Sequence, residues 1–202
     1  MDPSPEIYRL LDLMPASGRM LCKIVNKPQQ STAIESSFPL PWARERPIYI
    51  NFDLWRKLSR PQRDLLLLRT VSWLLGVKWF KPDLYQGVVI VGLLGTLVEL
   101  VEGDAVGVVT AGGLTALAGV QIWRSTHRSD REIEADQAAI QIALRRGYNE
   151  PDAARHLLNA IESVATLEGR PGLDFMELIR VQNLRAIAGL SAVGIPEDGI
   201  RE

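Results

Sequence analysis

Two long apolar runs separated by three polar residues constrain this chain more than any other feature. YQGVVIVGLLGTLVELV over 85–101 has one charge in 17 residues, AVGVVTAGGLTALAGVQIW over 105–123 has none in 19, and only EGD lies between them. A single helix over 85–123 would be interrupted by Glu102, Gly103 and Asp104, so the pattern predicts a hairpin of two antiparallel helices. Lys78, Trp79, Lys81 and Tyr85 flank one arm, and Trp123, Arg124 and Arg128 flank the other. This is the aromatic belt and basic flank of a membrane hairpin, with Trp79, Tyr85 and Trp123 as interface anchors and both ends cytoplasmic. Gly107, Ala111, Thr115 and Gly119 recur every four residues, and Gly92 and Thr96 offer a shorter counterpart. Such small-residue stripes allow close helix approach in lipid, which also makes 85–123 a candidate homo-oligomer surface. Two features pull towards a buried soluble hairpin instead: the runs are short against the roughly 20 residues of a bilayer span, and Glu99 must snorkel towards the loop.

The rest of the chain reads as a mixed fold. The start, MDPSPEIYRLLDLMPASG, lacks the basic and apolar regions of a secretory signal. Residues 7–14 read as a short helix ended by Pro15 to Gly18, and 20–26 as a strand. Residues 27–46 read as loop with a short strand near 32–38, and RPIYINFDLW over 46–55 as the next strand. Asn149 and Pro151 start a helix to about Leu167, 174–190 forms a last one, and the tail frays. The expected class is α+β, predominantly helical: one domain over 1–202 with a small N-terminal sheet, C-terminal helices and the hairpin inserted.

Composition removes several functions. The 23 basic and 24 acidic side chains nearly cancel, and no P-loop, GxGxxG, GxSxG or basic-aromatic stripe occurs, so nucleotide and nucleic-acid partners are not expected. Cys22 is the lone cysteine, and His127 and His156 are the only histidines, each read as a surface residue. Zinc sites and catalytic triads are therefore hard to build.

Two helices carry the chemistry that remains. Over 59–75, Ser59 caps, Gln62 completes a capping box, and Pro61 sits in the first turn where it loses no bond. LLLLRTVSWLL is apolar on most sides, so this helix is central, and Arg69 is its strong polar interruption. Over 126–147, Ser129 or Asp130 caps and Gly147 stops a helix on which Glu132 and Asp136 share a stripe with Ala139, Ile140 and Ala143. Two carboxylates heading an apolar face can be acid and base, metal ligands, or members of an arginine network.

Glu132-Ile133-Glu134-Ala135-Asp136 reads as ExxAD, followed by an alanine-rich helix and a proline-started one, and preceded by LSRPQRDLLLL and the hairpin. This order, over about 20–165, resembles the gluzincin-type zinc peptidases that include the membrane protease HtpX and the CAAX prenyl proteases. The resemblance implies that Glu132 stands at the third zinc-ligand position and Asp136 at the position that orients a ligand histidine. It departs from the family at the first motif: where HExxH is expected, the chain has Arg69-Thr70-Val71-Ser72-Trp73. Both histidine ligands, at positions 69 and 73, and the general base are missing, so no catalytic residue, metal or cofactor is expected. Arg69 would bring a fixed positive charge to the metal's place and pair bidentately with Glu132 or Asp136.

The whole chain also resembles a cyanobacterial protein family, which makes a plasma or thylakoid membrane plausible. These readings converge on a non-catalytic, metallopeptidase-like membrane protein that binds a protein partner, with RPIYINF as an edge strand for an extended peptide. The rivals are a divergent metal-dependent hydrolase using Glu132, Asp136 or Glu134, and a soluble helical interaction domain dimerising through 85–123.

Overall fold

The computed structural model describes residues 3–39, 43, 45–76 and 130–190. The hairpin over 85–123, the anchors Trp79, Tyr85 and Trp123, His127, the cap Ser129 and the tail lie outside the described residues. The chain divides into a unit of Met1–Val77 with Glu132–Glu202 and a second of Lys78–Arg131. Apart from Asp130 and Arg131, every described residue belongs to the first unit.

Helix α1 (Ser4–Leu13) leads into α2 (Ala16–Leu21) and strand β1 (Cys22–Asn26); β2 (Ile34–Ser36) and β3 (Arg46–Ile50) complete a three-stranded sheet. A short α3 (Phe52–Trp55) precedes α4 (Arg60–Gly76). Helix α5 covers 130–144 of the described residues, followed by α6 (Glu150–Leu167) and α7 (Phe175–Ile187). The class is α+β and predominantly helical.

Three expectations need correction. The stretch from Pro15 to Gly18 does not end a helix but starts α2, with Pro15 extended just before it. Gly18 is what allows α2 to dock: a Cβ there would lie 2.8 Å from Val71 Cγ1 on α4. The segment 46–55 is not one strand, because the Asn51 side chain accepts from the Asp53 and Leu54 amides and turns the chain into α3. Most consequential for function, RPIYI is not an edge. It is the central strand, parallel to β1 and antiparallel to β2, in the order β1-β3-β2. Pro47 is tolerated there for a geometric reason. The Ile50 carbonyl faces β1, where it accepts from Lys27, so by alternation the Pro47 nitrogen faces the β2 side. There β2 has already ended, at Ser36 opposite Ile48.

The core lies where Ile48 and Ile50 of β3 meet α4, α5 and α6. Leu65, Leu67, Leu68, Val71 and Leu74 of α4 are wholly buried, which is why that helix is apolar on most sides. Gln62 accepts from the Ser59 amide and Arg46 donates to the Leu74 carbonyl, so both ends of α4 are held by side chains. Ala139, Ala143, Ala153 and Ala160 are also fully buried, so α5 and α6 come close without bulky side chains between them.

Candidate functional site

Three helices bring four charged side chains together. Glu132 and Asp136 lie one turn apart on the inner face of α5, in line with buried Ala139, Ile140 and Ala143. Arg69 comes from α4, pairs with Glu132 through Nη2, and places Nε 3.7 Å from Asp136 Oδ1. Arg180 comes from α7 and grips Asp136 with two parallel bonds, Nε to Oδ2 and Nη2 to Oδ1, both 2.8 Å. Arg69 thus bridges the two carboxylates, and the two-point grip on Asp136 belongs to Arg180.

Burial makes this centre costly to disturb. The Asp136 side chain is 0% exposed and that of Arg180 9%, whereas Arg69 and Glu132 keep 19% and 22%. Loss of water and the like charge of Arg180 push the Arg69 guanidinium down to about 10, while Asp136 and Glu177 pull the other way. It remains charged at neutral pH. Two positive and two negative groups balance, which is the condition under which charges are buried.

Chemically, the arrangement is closed. Both Asp136 oxygens are taken by Arg180, and a general base needs an open lone pair within reach of a substrate or water. A divalent cation does not fit this donor set. It would face two guanidinium groups at close range, and among the described residues no three His, Cys, Asp or Glu side chains gather as a ligand set. The other positions named from the sequence lie apart. Trp73, one turn beyond Arg69, packs edge-on against Phe38 at 6.0 Å. Thr70 donates back to the Leu66 carbonyl, Val71 packs against α2, and Ser72 is buried. Glu134 is exposed on the far side of α5, and His156 sits edge-on to Tyr148 at 6.2 Å.

Arg180 escaped the sequence reading although a signal existed. Arg180, Val181, Leu184 and Ala188 form one buried stripe of α7, and a charge on such a stripe needs a buried partner. The start of α7 is set by a capping box between Asp174 and Glu177. Arg170 holds the Glu177 carboxylate at 2.7 and 2.9 Å and also pairs with Glu168, which accepts from the Ala33 amide.

A second arginine–carboxylate cluster lies elsewhere on α4. Asp64 accepts from Arg9 at 2.6 Å and from the Tyr148 hydroxyl at 2.9 Å. Glu6 accepts twice from Arg9 at 2.8 Å and once from Arg63 at 2.7 Å. The Arg9 bond and the charges of Arg9 and Arg63 hold the Glu6 carboxyl below its ordinary range, against the opposing effect of burial. Burial, and then the bond to Asp64, push the Tyr148 phenol up to about 12. Beside this cluster a cavity of about 430 Å³ opens, lined by Arg9, Asp12, Arg60, Asp64, Arg146 and Tyr148 among others.

The model of a family described as Protein of unknown function (DUF3318) matches residues 8–148. The chain belongs to the DUF3318 family. The DUF3318 match takes in Arg69, Glu132 and Asp136 and every residue lining the cavity, and ends before Arg180. The chain is also similar to the Thylakoid membrane protein slr1949 of Synechocystis sp., at 28% identity over 123 residues. That match covers 59% of this chain and 58% of the relative, so the chain spans little more than half the length of the protein it resembles. No solved structure matches the chain. Among the described residues, no helix is long and apolar enough to cross a membrane.

Proposed function

We propose that this DUF3318 protein is a non-catalytic, metallopeptidase-like membrane protein that serves as a protein-binding or assembly module. The observation that carries the reading is the closed charge centre. The carboxylates of the ExxAD stretch, which would serve as ligand and orienting group in a zinc peptidase, are occupied by Arg69 and Arg180. A scaffold whose acid–base groups are sealed is suited to binding rather than turnover. Placement in a membrane, with both chain ends on the cytoplasmic side, is supported by the apolar runs over 85–123. A thylakoid location is supported by the name of the relative. Because β3 is paired on both sides, an extended peptide joining the sheet has the outer edge of β1 available among the described residues.

Membrane fractionation of cells expressing the full chain tests this. The protein is expected to resist high-salt and alkaline washing and to leave the membrane only in detergent, as a complex larger than the monomer. Release by washing alone would contradict the proposal and favour a soluble helical domain that dimerises through 85–123. A hydrolytic activity lost in Glu132→Ala would contradict it from the other side.

A further inference from the structure

The cavity beside α1 has a charge pattern that the closed centre lacks. Its floor is neutral and fixed: Arg9 and Arg63 are matched by Glu6 and Asp64, and the Tyr148 hydroxyl is spent on Asp64. Its rim is not matched. Arg60, in the first turn of α4, is exposed and pairs with none of the described residues. Arg146, in the turn after α5, spends Nη2 on the Met14 carbonyl at 3.1 Å and has its other donors open. That turn is held in place by Gly147 at φ 92° and by the Tyr148 amide, which donates to the Ala143 carbonyl. The remaining charge on the cavity wall is Asp12, exposed and with no partner among the described residues.

We infer that this cavity binds a phosphate ester of a small polyol, the phosphate lying between Arg60 and Arg146 and a hydroxyl donating to Asp12. The chemistry follows from the two kinds of group. Guanidinium groups offer forked donors that match phosphate oxygens, and their hold is charge-assisted. A lone carboxylate on the same wall repels a bare anion but accepts from an alcohol, so it selects a ligand that carries both. The volume of about 430 Å³ is within the range of small-ligand sites. The same chemistry occurs in free glycerol phosphate and in a glycerophosphate lipid headgroup. Arg60, Arg146 and Asp12 take no part in the closed centre, so this site does not depend on the proposed function.

Calorimetric titration of the full chain in a neutral detergent tests it, with glycerol 3-phosphate, inorganic phosphate, and vesicles of phosphatidylglycerol or phosphatidylcholine as probes. Glycerol 3-phosphate is expected to bind saturably and one to one. Arg60→Gln and Arg146→Gln should each weaken it by at least about tenfold, the loss of a charge-assisted bond. Asp12→Asn should act with opposite signs, weakening glycerol 3-phosphate and strengthening inorganic phosphate. Arg155→Gln, on an exposed part of α6 and away from the cavity, should change nothing. Binding only to phosphatidylglycerol vesicles, lost in the two arginine variants, would support the same site and assign its ligand to a lipid. Two results would overturn the inference: no binding by wild type to any of the probes, or binding that the double variant Arg60→Gln/Arg146→Gln retains.

Discussion

Helix α4 contributes Asp64 to one arginine–carboxylate cluster and Arg69 to another, five residues and about 140° further round the helix. The two clusters use the same groups to opposite ends. Around Asp136 the charges are matched, the carboxylate has no contact with water, and three helices are tied at one point. Around Asp64 a matched pair of arginines and carboxylates forms only the floor, and two arginines remain at the rim of an open cavity. Burying a charge set completely stabilises one geometry and removes its reactivity. Leaving part of it in water keeps it available for a ligand.

The largest expected effect separates the clusters directly. Asp136→Asn strands two arginines in the core and should cost about 3–5 kcal/mol, read as a fall in melting temperature or denaturant midpoint. Asp64→Asn removes the acceptor of Arg9 and Tyr148 at the edge of solvent and should cost about 1–3 kcal/mol. Equal losses would erase the distinction. Next, Arg180→Ala should destabilise more than Arg69→Ala. Removing Arg69 leaves Asp136 with both of its bonds to Arg180, whereas removing Arg180 leaves it only the longer approach of Arg69.

Acid sharpens the comparison further. The Glu6 carboxyl is lowered from its ordinary 4.5, so its contribution is present above that value and is lost as pH falls through the lowered one. Because Glu6 is partly in water, the effect should stay under about 1 kcal/mol. Glu6→Gln should flatten the corresponding part of the stability curve without touching the Asp136 cluster. The smallest effect concerns Tyr148, which should ionise near 12 by ultraviolet titration. Asp64→Asn should bring it back towards its ordinary 10, with Asp136→Asn leaving it in place.

Local patterns carried most of the fold into view. The cap at Asn149, the glycine stop at Gly147 and the leucine run of α4 each act within a turn or two of chain, and the elements they imply are present. The edge or central position of RPIYI was not readable. It depends on β1, more than twenty residues earlier, pairing parallel to it, and nothing in its own residues encodes that partner. At the charge centre, the stripe of Glu132 and Asp136 was readable from four-residue spacing, and Arg69 from its place in an apolar run. Arg180 and Asp64 were missed for one reason: their partners are 44 and 84 residues away in sequence, on helices whose packing no local spacing records.

Metal analysis of the purified full chain, beside Glu132→Ala, tests the central claim most directly, that arginines close the centre where a zinc peptidase would hold its ion. The account predicts no stoichiometric zinc in either protein and a melting temperature that a chelator leaves unchanged. One zinc per chain, lost in Glu132→Ala, would contradict it.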